Sequence, residues 1–122
     1  VIEFENLYCK MFVDFDNELK YMVELISKLT NGTIENNRGL ISTEIAEFDV
    51  RENDDFKTPK ELRSEAPVDT FLFWRYYIDI EPKEGIEPPA YVSMISQLLK
   101  DLQTKRIDAV AACDFENELP PR

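Results

Sequence analysis

Histidine is absent from this 122-residue chain, and with it the commonest general base and a principal zinc ligand. Glycine is scarce at three residues, so there is no Gly-rich phosphate loop, and no G-x-S-x-G turn to carry a nucleophilic serine. Cys9 and Cys113 are the only thiols, far apart and outside any C-x-x-C pair. They are too few for a disulfide framework or a four-thiolate zinc site. Buried, reduced, structural thiols are the expectation. No apolar run approaches the roughly 20 residues of a membrane helix. Val1-Ile2-Glu3-Phe4 lacks the basic-then-apolar pattern of a signal peptide. A cytoplasmic protein is therefore expected, although a start at Val1 leaves a removed leader open. Positive charge is the last deficit: 14 Lys and Arg stand against 25 Asp and Glu, a net charge of −11. Such a surface repels nucleic acid and anionic membranes and attracts basic partners.

What is present is a globular core. Apolar residues make up 43% of the chain, including eight Phe, five Tyr and one Trp, which opposes disorder. The length suits one domain, residues 1–122. Leu7, Cys9, Met11 and Val13 alternate with Tyr8, Lys10 and Phe12 as a first strand with one buried face. Asp14 and Asp16 are candidate caps for a helix whose stripe is Leu19, Met22, Val23, Ile26 and Leu29, ending at Asn31-Gly32. An extra hairpin strand at Thr33 is one option. A turn at Asn36-Asn37-Arg38-Gly39 leads into a strand from Leu40 to Val50, whose alternation slips near Ile45 as a bulge would make it.

Residues 51–70 form a long acidic loop in which Thr58-Pro59-Lys60-Glu61 matches a capping box for a short helical turn. Phe71 to Ile80 alternates as the third strand. Pro88-Pro89 opens a second helix with the stripe Tyr91, Met94, Ile95, Leu98, Leu99 and Leu102, and Asp108 to Phe115 gives the last strand. The predicted class is α+β with the ferredoxin-like split βαβ order, β-α-β-β-α-β. Its antiparallel sheet carries two helices on one face and runs fourth, first, third, second.

That topology would leave Tyr8, Phe12, Phe71, Phe73 and Tyr77 on the uncovered sheet face beside Lys10, Arg75 and Asp79, unless the acidic loop folds over them. Aromatics so placed resemble the RNA-recognition module. Phe71-Leu72-Phe73-Trp74-Arg75-Tyr76-Tyr77-Ile78, however, lacks that module's glycine, and the net charge opposes phosphate. Carboxylates gather at one sheet end (Glu3, Glu5, Asp79, Glu81, Asp114, Glu116, Glu118) and at the other (Asp14, Asp16 and the acidic loop). Neither set has a metal-loop spacing, so no metal, no cofactor and no catalytic residue is assigned, and a non-enzymatic protein is expected.

Two phrases remain, Leu72-Phe73-Trp74-Arg75-Tyr76-Tyr77-Ile78-Asp79-Ile80-Glu81-Pro82 and Ala111-Ala112-Cys113-Asp114-Phe115-Glu116-Asn117-Glu118-Leu119-Pro120. With the size, acidity and α/β pattern of the whole chain, they resemble the immunity proteins of bacterial polymorphic-toxin and contact-dependent growth inhibition systems. The resemblance implies a cognate toxin, often a nuclease with a basic cleft, blocked in a one-to-one complex. Charge and loop length then suggest Asp54, Asp55, Glu61 and Glu65 as partner-binding carboxylates, and Phe73 and Tyr77 as aromatic anchors. The alternative is a self-associating ferredoxin-like regulatory or structural module, a homodimer through the open sheet or an edge strand.

Overall fold

In a computed structural model, residues 6–36, 38–62 and 67–121 are described. Period-two alternation gives β1 (Cys9–Asp14), which sends Cys9, Met11 and Val13 inward. The pattern then switches to the helical period in α1 (Leu19–Thr30), where Met22, Val23 and Ile26 are buried. Neither Asp14 nor Asp16 caps this helix. Glu18 is the N-cap residue, with no side-chain capping bond, and its own N–H donates to Asn17 Oδ1 at 2.8 Å. Asn31 ends the helix in the left-handed region at φ 55°, and Gly32 N–H closes the last turn on Ser27 O at 3.0 Å.

Next come three short antiparallel strands, β2 (Thr33–Ile34), β3 (Leu40–Ser42) and β4 (Ala46–Glu52). The expected single strand from Leu40 to Val50 is thus a hairpin, and the slip in alternation is a turn rather than a bulge. Thr43 Oγ1 accepts from the N–H groups of Ile45 and Ala46 at 3.1 and 2.9 Å, so its hydroxyl reverses the chain. Gly39 sits at φ 109° with Val50 O only 2.3 Å from where a Cβ would lie, so only glycine fits there.

The third expected strand is shorter than its alternation suggested. Residues Pro67–Phe73 wind as a 3-10 segment, and β5 begins only at Tyr76, running to Pro82. After α2 (Pro88–Thr104), which buries Tyr91, Val92, Ile95, Leu98, Leu99 and Leu102, β6 (Asp108–Ala112) completes the sheet and ends before Cys113.

Among the described residues the sheet has six strands in the order β2-β3-β4-β5-β1-β6, every pairing antiparallel. The last four positions reproduce the order expected for the four main strands, and β2 and β3 extend the sheet on one side. The fold is α+β and broadly ferredoxin-like, with six strands rather than four. Both helices cover the same face, where Cys9, Met11, Val13, Phe48, Val50, Tyr76, Ile78 and Ile80 form one core with their stripes. No helix among the described residues is long and apolar enough to cross a membrane.

Candidate functional site

The second face of the sheet is set by register. Lys10 lies opposite Asp79, Phe12 opposite Tyr77, Asp49 opposite Asp79, and Arg51 opposite Tyr77. Two carboxylates facing each other would repel, but Arg51 reaches both, with Nη2 at 2.7 Å from Asp49 and Nε at 3.9 Å from Asp79. The Tyr8 hydroxyl donates to Asp79 Oδ1. Burial, and then this bond to a carboxylate, push the Tyr8 phenol above its ordinary range. Lys10 Nζ lies over the rings of Tyr77 at 4.2 Å and Phe12 at 5.3 Å. Positive and negative groups on this face therefore compensate one another.

Nor is the face fully open. Phe71, expected in a strand, comes instead from the 3-10 segment and packs edge-on against Phe12 at 5.3 Å, leaving Phe12 6% exposed. Phe73 lies in the same segment, half-buried, and Tyr77 is half-buried on β5. The two candidate anchors thus sit on different elements. Tyr77 also lines a shallow cleft of about 600 Å³ with Asp49, Arg51, Glu52, Asp54 and Arg38.

The connection from β4 to β5 is built by Asn53, a residue the sequence reading passed over. Its side chain is buried, with Nδ2 donating to Leu72 O at 2.9 Å and to Trp74 O at 2.7 Å, and Oδ1 accepting from Asp55 N–H at 3.1 Å. One amide thereby ties the start of the loop to its end and caps the 3-10 turn Asp54–Lys57. Asp54 and Asp55 project from that turn, and Glu61 from the next, Lys60–Leu62, where the capping-box signal placed a helical turn. All three carboxylates are exposed, and none forms an ion pair among the described residues. Glu65, and Glu3 and Glu5 at the chain start, lie outside the described residues.

Between these carboxylates the loop exposes apolar surface. Phe56 is 45% exposed, Leu62 75% and Leu72 38%, three of the five large apolar side chains exposed among the described residues. Arg75 lies 6.0 Å from the Phe56 ring and 5.3 Å from that of Tyr76, which carries the loop's aromatic edge back to the sheet. Two large apolar residues in a polar stretch were the available signal for Phe56 and Leu62, because sequence alone does not distinguish a loop side chain turned inward from one turned out.

Elsewhere, Lys83 Nζ donates to Ser42 Oγ at 2.6 Å in a polar depression of about 520 Å³ lined by Thr30, Thr33, Glu35 and Glu44. Among the described residues, no group of three or more Asp, Glu or Cys side chains is placed to hold a metal ion. Compared with known proteins, the chain has no significant match to a family model, a curated sequence or a solved structure.

Proposed function

We propose that this chain is a non-enzymatic binding protein that neutralises a basic protein partner, a toxin domain of the nuclease class, by laying the acidic β4–β5 connection over its cationic substrate cleft. One observation carries the proposal: exposed carboxylates at Asp54, Asp55 and Glu61, without ion pairs among the described residues, are interleaved with exposed Phe56, Leu62 and Leu72 on a single pegged segment. A solvated surface needs the charges but not the apolar groups. A protein interface uses both, apolar anchors for desolvated contact and charges for register and encounter rate. Carboxylates fit the Lys and Arg groups that a nuclease turns towards phosphate. The compensated second face of the sheet is the weaker candidate, because Asp49 and Asp79 already have internal partners.

The test is affinity capture from cells that carry the protein, with wild type and a Phe56→Ser, Leu62→Ser variant immobilised side by side. The expected result is one basic protein retained by wild type and lost by the variant, whose activity on DNA or RNA is abolished by an equimolar amount of wild type. A retained protein whose activity is untouched, or equal retention by both forms, contradicts the proposal.

A further inference from the structure

The two thiols meet at the far end of β1 from the acidic loop. Extending the β1–β6 register one step beyond the Lys10–Ala112 pair sets Cys113 opposite Cys9. Cys113 also continues the inward parity of Ala109 and Ala111, so both sulfurs point to the helix side. Antiparallel cross-strand partners have Cα atoms about 4.5 to 5.5 Å apart, inside the window of roughly 4.4 to 6.8 Å that a disulfide spans. The two cysteines are reduced, and the register sets their side chains on the same side of neighbouring strands.

The pair is asymmetric. Cys9 is fully buried, while Cys113 is partly exposed in the turn that leaves β6. The Phe115 ring, 5.8 Å from that of Tyr91, is fully buried two residues beyond Cys113.

We propose that Cys113 and Cys9 form a redox-active dithiol whose substrate is a low-molecular-weight disulfide, with Cys113 as the attacking thiol and Cys9 as the resolving one. The hydrogen bond from Cys9, helped by the Phe115 N–H, holds the Cys113 thiol below its ordinary range. The same contact, together with burial, holds Cys9 well above its own. In the first step the Cys113 thiolate attacks one sulfur of the disulfide. The S–S bond breaks and one thiolate leaves, which leaves a mixed disulfide on Cys113. Cys113 is then no longer an anion needing a hydrogen bond, so Cys9 is released to give up its proton to the departed thiolate. In the second step Cys9 attacks the Cys113 sulfur and expels the second thiolate. In total the protein loses two hydrogens as one disulfide is reduced to two thiols. Asp114 and Glu116 beside the turn favour a cationic disulfide over an anionic one.

The experiment treats the reduced, folded protein with cystamine at neutral pH and follows intact mass and the peptide map. Wild type is expected to lose two hydrogen masses and yield a Cys9–Cys113 peptide pair with no adduct. Cys9→Ala should retain one cysteamine group on Cys113, and Cys113→Ser should react at least about tenfold more slowly than either. Circular dichroism confirms that both variants are folded. A mixed disulfide persisting on wild type, or native thiols that react only after unfolding, overturns the proposal. Because the pair and the acidic loop occupy opposite ends of β1, this outcome is independent of partner capture.

Discussion

At the scale of single residues, Asn53 has the largest consequence for its size. Its buried amide satisfies two backbone carbonyls from the far side of a long loop. Replacing it with Ala should cost about 1 to 3 kcal/mol, the net worth of the two hydrogen bonds it donates, and should raise hydrogen exchange across residues 54–62 and 67–73. Chemical denaturation and exchange on the same variant check both effects, and protection unchanged in the loop would remove the peg from the account. Asp14 works the other way. Desolvation of its carboxyl at the exposed end of β1, together with Asp108 opposite it and Asp16 nearby, raises that carboxyl above the usual range. The folded state therefore binds this proton more tightly than the unfolded chain does. Its contribution to stability is full below the ordinary aspartate value near ~4 and is lost as pH rises through the raised native value. Asp14→Asn should stabilise the protein at neutral pH by about 0.5 kcal/mol or less after solvent screening. The gain should vanish at acid pH in melting curves of the two proteins.

At the scale of elements, the hairpin that widens the sheet depends on close backbone approach. Gly39→Ala would place a methyl group on Val50 O at a positive φ, so a loss of roughly 2 kcal/mol or more is expected in denaturant titration. Unchanged stability would mean that β3 and β4 are not locked as described. The regular elements were readable before the structure. β1, α1 and α2 each carry a strict period, and the short connections of a split βαβ order leave few topologies open. The irregular parts were not. Phe71 to Trp74 alternates as a strand does, yet Asn53, remote in sequence, takes the Leu72 and Trp74 carbonyls and holds the segment out of the sheet. The slip near Ile45 marked a real interruption, but whether a bulge or a turn caused it was decided by the Thr43 hydroxyl. Of the candidate site, composition pointed to the loop and to exposed Asp54, Asp55 and Glu61. It did not reveal Phe56 and Leu62 as surface groups, since exposure is a tertiary property.

For the whole molecule, charge and shape act together. A net charge of −11 biases the approach of any cationic partner, while the compensated sheet face, with Lys10 and Arg51 beside Asp49 and Asp79, adds little to that bias. The loop carboxylates, without ion pairs among the described residues, lie beside exposed apolar groups, and under the proposed function this one segment both steers encounter and forms the contact. The measurement that tests this most directly is the association rate between the captured partner and the protein across a range of ionic strengths. It is made with wild type and with an Asp54→Lys, Asp55→Lys, Glu61→Lys variant. The account predicts a wild-type rate that falls steeply with salt, and a variant slower by about tenfold or more at low salt with a flattened salt dependence. Equal rates and equal salt slopes for the two proteins would contradict it.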